Sequence, residues 1–245
     1  MSLESMHRKI ADRPPLNFGT IFSETIELFK KVWLQGFVIL LLGFATILPF
    51  YIMIYIPMIA MGITDPDMLR NEDPSIMVII SMSIIMPIVY IGVLTFAMAL
   101  NAAFLRICRL KDLNETGDGD YFYFFKQGRL GKILMVSLIM LGLSLVGMMT
   151  CGIALIYFVV PMSLFPAFLA FEEELSAMEV VKASFVLGNK NWLVIFGLII
   201  IVSLIAELGV LLCCVGILFT AMLSKIPMYF MFKHGVGFEE DASQF

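Results

Sequence analysis

Glu172-Glu173-Glu174-Leu175-Ser176-Ala177-Met178-Glu179-Val180-Val181-Lys182-Ala183-Ser184-Phe185, running on through Gly188-Asn189-Lys190-Asn191-Trp192, decides how this chain is read. Ser176 and Glu179 have the S-x-x-E spacing of a capping box, which predicts a helix start. Leu175, Met178, Val181 and Phe185 recur at helical spacing, while Glu179 and Lys182 share the opposite, wet face. Gly188 and Asn189 suit the helix end, and Trp192 suits a polar–apolar boundary. From Asn191 to Phe232 the chain is almost uncharged. One crossing of a bilayer takes roughly 20 residues, so this run predicts two spans turning near Cys213-Cys214-Val215-Gly216.

The composition extends this reading to the whole chain. Of 245 residues, 60% are hydrophobic, and the mean hydropathy is +0.97, far outside the range of soluble domains. That length accommodates about six spans. No polar block reaches the ~50 residues of a separate folded domain, so a soluble catalytic domain is not expected. The expected fold is an all-α integral membrane protein of about six transmembrane helices in three hairpins, with amphipathic helices on the cytoplasmic surface.

Upstream, residues 1–16 form a polar tail carrying His7, Arg8, Lys9 and Arg13, with no apolar core and cleavage site of a signal peptide. Asn17 is placed to cap a surface helix with Phe18, Ile21, Phe22, Ile26 and Phe29 on one side and Glu24, Glu27 and Lys30 away from it. Residues 17–110 are the first hairpin with this leading helix. Its limbs, Val32 to Gly62 and Ser75 to Leu110, are overlong and contain Pro49, Pro57 and Pro87, so the hairpin is expected to project beyond the outer face. Between them lies a polar loop with Asp65, Asp67, Glu72 and Asp73 against Arg70 alone. Arg106, Arg109 and Lys111, which follow Asn101 at the inner end, read as headgroup contacts. An aromatic interfacial turn or short helix is expected at Asp120 to Lys126. Residues 120–171 form the second hairpin, turning near Thr150-Cys151-Gly152, with Pro161 and Pro166 on its return limb. Residues 175–232 form the third, with Lys225 and Pro227 on its return limb, and residues 233–245 are a cytoplasmic tail. The three units share an order of leading helix, basic boundary, span, turn and proline-bearing return, a weak internal repetition.

Charge orients the chain. With both termini and the loops at 111–129 and 172–190 placed inside, fourteen basic residues lie at the inner face without counting Lys225, against Arg70 outside. This predicts a multi-pass protein of the bacterial cytoplasmic membrane with both termini cytoplasmic.

Candidate chemistry is sparse. His7 and His234 are the only histidines, and neither belongs to a metal-type spacing. No nucleophile elbow or phosphate loop occurs, and no cofactor or catalytic residue is expected. Glu207 is the one carboxylate within an otherwise apolar span, which makes it a candidate transport site. It lies about 22 Å of helix rise beyond Trp192, so it also reads as a carboxylate reaching the outer interface. Asp112, Asn114, Thr116, Gly117 and Asp120 fall at calcium-loop positions, but Tyr123 stands where the bidentate Glu belongs, and a solvated Gly-rich turn is the better reading. Cys151 and Cys213 or Cys214 sit at predicted outer turns where a disulfide is conceivable. Gly142, Gly147, Gly197 and Gly209 read as points of close helix packing.

The order of acidic start, Ser176 to Ser184, Asn/Lys-rich boundary, Trp192 and long hairpin resembles a bacterial membrane-domain family. That family includes the integral-membrane domain attached to some glycerophosphodiester phosphodiesterases, and stand-alone six-span proteins of unknown function. The likeness touches Phe18 to Trp33 as well. It implies a membrane module; the phosphodiesterase activity of the fused relatives resides in a soluble barrel that has no counterpart here.

Two functions remain in view. The first is a non-catalytic membrane module that organises lipid or assembles with other membrane proteins, or with itself, and has no nucleic-acid partner. The second is a small transporter or channel with a polar site involving Glu207. A polar cavity reaching mid-membrane favours transport, and a sealed apolar interior favours the module.

Overall fold

A computed structural model describes residues 3–60, 76–115, 117, 119–126, 128–211, 216 and 220–238. The loop with Asp65, Asp67, Arg70, Glu72 and Asp73, the residues Thr116, Asp118, Cys213 and Cys214, and the tail from Glu239 lie outside them. The described residues form eight α-helices and contain no strand.

The polar start folds into a helix, α1 (Leu3–Asp12), where a tail was expected. Met6 and Ile10, four apart and both fully buried, dock it against the rest of the chain. α2 (Phe18–Ala60) starts where Asn17 predicts, its Oδ1 accepting from the Thr20 N–H at 3.0 Å. The leading helix and first span are one uninterrupted helix of 43 residues, about 65 Å long. Its buried ridge is Ile21, Thr25, Leu28 and Val32, with the expected Phe18 and Phe22 stacked on its flank.

α3 (Ile76–Asp112) runs back beside α2. The 3₁₀ turn at Tyr123–Phe125, predicted as an aromatic turn or short helix, leads into α4 (Leu130–Met149) and α5 (Ile153–Phe171). α4 and α5 have 20 and 19 residues, one bilayer crossing each, whereas α2 and α3 are about twice that. The exposed apolar residues Tyr51, Ile52, Ile56, Ile80 and Ile84 lie on the distal part of the long pair.

α6 (Ala177–Lys190) begins with the predicted capping box: Ser176 N–H donates to Glu179 Oε2 at 2.8 Å, and Glu179 N–H donates to Ser176 Oγ at 3.4 Å. Of the expected stripe, Leu175 and Val181 are buried and Phe185 packs against the core, but the buried face is wider than that stripe and leaves Met178 out. Val180, Ala183, Ser184 and Leu187 are buried, whereas Met178 is 51% exposed. The reason is that α6 packs on α5, α4 and α1, so small residues that admit a close neighbour decide its inner face. Gly188 does not end the helix. It is buried inside it, and a Cβ there would lie 3.3 Å from Pro161 Cα. The helix ends at Asn191, and α7 (Trp192–Glu207) leaves at 92°. After 3₁₀ turns at Leu208–Leu211 and Ala221–Lys225, α8 (Ile226–Gly235) returns with Ile226 through Phe232 all buried.

Four helices are long and apolar enough to cross a membrane, or five if the bent pair α6–α7 is one span. The expected sixth is not among the described residues, because the return limb of the third hairpin is divided between a 3₁₀ turn and the ten-residue α8. The aromatic core of Phe104, Phe165, Phe168, Tyr229, Phe230 and Phe232 gathers at the end where the charged residues also collect.

Candidate functional site

α3, α4, α5, α7 and the final turn into α8 line a partly open cavity of about 370 Å³. Its walls are apolar, from Leu94, Met98, Met140, Val159, Met162 and Ile199, among others. Its polar lining is Asn101, Ser163, Ser203, Ser224 and Lys225. These groups are half-buried and lie well along the helices from the charged end. At 1.5 Å per residue, Asn101 is about 16 Å from Asp112 along α3, Ser163 about 12 Å from Phe171 along α5, and Lys225 about 12 Å from Lys233 along α8.

Local chemistry explains how polar side chains are tolerated there. Asn101 Nδ2 donates to the Ala97 carbonyl at 2.8 Å, Ser163 Oγ to the Val160 carbonyl at 2.7 Å, and Ser224 Oγ to the Ala221 carbonyl at 2.9 Å. Each bond returns a proton to the residue's own helix. Among the described residues, nothing accepts a hydrogen bond from the Lys225 ammonium, and no acidic residue lines the cavity. Pro166, on the same wall, has no N–H for the Met162 carbonyl.

The other proline of α5 has the same consequence with a different outcome. Pro161 leaves the Tyr157 carbonyl without its helical donor, and the Trp192 indole N–H supplies one at 3.3 Å. Trp192 therefore bridges α5 and α7. Asn191 beside it is buried, and its Oδ1 accepts from Leu16 N–H at 2.9 Å.

The charged end is a network of paired groups. The Glu173 carboxylate accepts from Arg106 at 3.2 Å, from Arg129 at 3.3 Å and from the Tyr123 hydroxyl. Both guanidinium groups lie over the Tyr123 ring, at 3.8 and 4.2 Å from its centroid. Burial favours the protonated acid at Glu173, but the Tyr123 hydroxyl and the Arg129 and Arg106 charges outweigh it and hold the carboxyl below the ordinary glutamate range. Lys132 donates to the Glu172 carbonyl at 2.8 Å, and Arg106 to the Ala170 carbonyl at 3.3 Å, so cations from α3 and α4 cap the C-terminus of α5. Asp112 accepts from Tyr229 at 2.7 Å and Lys233 at 2.5 Å, and His234 meets Glu24 at 2.6 Å. Lys190 donates to the carbonyls of Ile10, Ala11 and Arg13, which close α1. A wider cavity of about 630 Å³ opens here, but Arg106 and Arg109 on its wall are paired with Glu173 and Glu115. Arg106 and Arg109, expected as headgroup contacts, make intramolecular pairs.

Glu207 is the last residue of α7, exposed, and does not line the cavity that holds Lys225. In the calcium-like loop, Asp112 is held by Lys233 and Tyr229, and Asp120 by Lys126 at 2.8 Å. No group of three or more His, Cys, Asp or Glu that could hold a metal gathers among the described residues. Cys151 is exposed at the α4–α5 turn and Cys108 is buried; the proposed partners of Cys151 lie outside the described residues. Gly147 meets the Leu155 side chain and Gly209 meets Thr220, as close packing predicts, Gly197 is in ordinary contact with Phe18, and Gly142 has open space. The cavity groups Asn101, Ser163, Ser203 and Ser224 were not singled out as a site in the sequence. Their signal was isolation: polar residues inside apolar runs, each on a different helix or turn.

Comparison with models of protein families, with curated proteins and with solved structures finds no match to this chain.

Proposed function

We propose that this chain is a non-catalytic, multi-pass protein of the bacterial cytoplasmic membrane that organises lipid, holding an amphiphilic molecule in the cavity bounded by α3, α5 and α7. The observation that supports this reading is a chamber about halfway along helices of bilayer length. Its polar groups reach mid-depth, the feature that speaks for transport, but its walls are mostly apolar, which suits an amphiphile better than a hydrated solute. An amphiphile matches both surfaces at once. The paired basic residues gathered at one end favour a cytoplasmic position for that end and for both termini. The apolar distal part of α2 and α3 offers a surface to lipid or to another membrane protein.

A second reading, a small transporter, draws on the depth of the same chamber, since a polar site at mid-membrane is what transport needs. In that case the cargo site centres on Lys225 and Asn101, and Glu207 stands apart from it.

Extraction in detergent-free lipid particles, followed by mass spectrometry of everything retained, tests the proposal. One lipid retained per chain is the expected result. A stoichiometric protein partner with no enriched lipid moves the role to assembly. Solute flux in proteoliposomes, with no lipid retained, replaces the proposal with transport.

A further inference from the structure

At the charged end, Arg106, Arg129, Lys132, Lys190 and Lys233 all donate to carboxylates or helix-end carbonyls. Lys225 breaks that pattern. It faces a cavity whose lining holds no other charged residue, at a depth where an unpaired charge is costly. We infer that this cavity binds an anionic amphiphile, a molecule with one oxyanionic head (a carboxylate or a phosphate ester) and an apolar tail, with the Lys225 ammonium as its counter-ion. The inference rests on the reading that the chamber holds lipid.

The available hydrogen-bond donors fit such a head. Ser203 makes no hydrogen bond among the described residues, so its hydroxyl is free to donate. Asn101 commits its amide to Ala97, and an amide carries two N–H groups, so one remains. Lys225 adds three donors and the charge. An oxyanion accepts from all three and returns the charge balance that the chain itself does not supply. Ser163 and Ser224 spend their protons on their own helices, and so contribute no competing donor for a neutral head.

Size and wall chemistry narrow the tail. A volume of about 370 Å³ lies at the small end of the ~300–1,000 Å³ typical of ligand pockets, which suits a head and the near part of a single chain. Met98, Met140, Met162 and Met228 line it, and unbranched thioether side chains adapt to a flexible chain without a fixed shape. A carboxylate arises from a free fatty acid and a phosphate ester from a phospholipid, and the two sources are separable by experiment.

The test uses the full chain in an uncharged detergent, titrated in native mass spectrometry with a saturated fatty acid, a lysophosphatidate of equal chain length, and the corresponding uncharged monoacylglycerol. One anion per protein is expected, bound more tightly than the monoacylglycerol. Preference for the fatty acid points to a free carboxylate as ligand, and preference for the lysophosphatidate points to a lipid headgroup. Lys225→Met should weaken anion binding by roughly 10- to 100-fold, the range of a charge-assisted hydrogen bond, leave the monoacylglycerol unchanged, and be offset by Lys225→Arg. Ser203→Phe, which places a ring in the chamber with the charge intact, should abolish binding. Anions bound no better than monoacylglycerol, or equally by a folded Lys225→Met protein, overturn the inference. If Lys225→Met does not fold, undiminished anion binding by Ser203→Phe overturns it instead. An uncharged or zwitterionic lipid retained in detergent-free particles leaves the lipid-holding role standing and removes this inference; retention of nothing removes both.

Discussion

Gly188→Ala tests the packing of α6 on α5, and its sign is decided by two opposing terms. Alanine is the better helix former, worth about 0.8–1 kcal/mol in a helix interior. Against this, the added Cβ would sit 3.3 Å from Pro161 Cα and 3.4 Å from its Cβ and N. Those atoms are backbone and ring, so no rotamer change relieves the contact, and α5 must move as a unit. Overpacking of a filled site costs typically ~1–3 kcal/mol. The net expectation is a loss of about 1 kcal/mol. Gly142→Ala is the matched control, since a Cβ there meets nothing within 4 Å, and the same propensity gain acts unopposed. Reversible unfolding in mixed micelles, followed by far-UV circular dichroism, should place the two variants on opposite sides of the parent. If Gly188→Ala is as stable as Gly142→Ala, the close approach of α5 and α6 at Pro161 is wrong.

Three further outcomes follow from the charged end. Because Glu173 is held below the ordinary glutamate range, its contribution to stability is present above the unfolded-state value and is lost as pH falls through the lower folded value. The stability gap between the parent and Glu173→Gln should therefore shrink on acidification; a gap unchanged from neutral pH to about pH 3 contradicts the pairing with Arg106, Arg129 and Tyr123. Ser176→Ala removes one half of the capping box and should cost about 1 kcal/mol, measured by the same unfolding assay, with a cost near zero showing that α6 is held by packing alone. Lys190→Met deprives the carbonyls closing α1 of their common donor, so amide exchange over Leu3–Asp12 should quicken while α5 and α8 keep their protection; unchanged exchange in α1 would mean that Met6 and Ile10 suffice to hold it.

Much of the architecture was legible from residue pattern. The cap at Asn17, the capping box at Ser176 and Glu179, the aromatic turn near Tyr123 and the hairpin turn at Thr150 to Gly152 all depend on neighbours a few residues apart, and each is found where the spacing puts it. Features set by distant partners were read less well. Gly188 has the look of a helix end in sequence, but Pro161 makes it a packing point. Met178 and Val180 both lie on the helix, and only the position of α5 settles which is buried. Trp192 is an interfacial residue by its place in the chain and a hydrogen-bond donor by the missing N–H of Pro161.

The candidate site shows the same division more sharply. Glu207 stood out because a carboxylate in an apolar run is conspicuous, yet it is exposed at a helix end. Lys225, Asn101, Ser163 and Ser203 converge from four elements separated by up to 124 positions, and nothing local marks them as neighbours. What the sequence alone determined is the class: apolar runs of bilayer length must satisfy their backbone within helices, and short-range caps and turns say where those helices begin. Only the tertiary structure decided the lining of the chamber and the pairing of the charges, because a helix direction does not specify which side chains of other helices it will meet. Low-resolution pattern suffices for a helix, whose hydrogen bonds are local. A cavity is a property of several helices together, and a lysine facing its apolar walls becomes visible only when those helices have been placed.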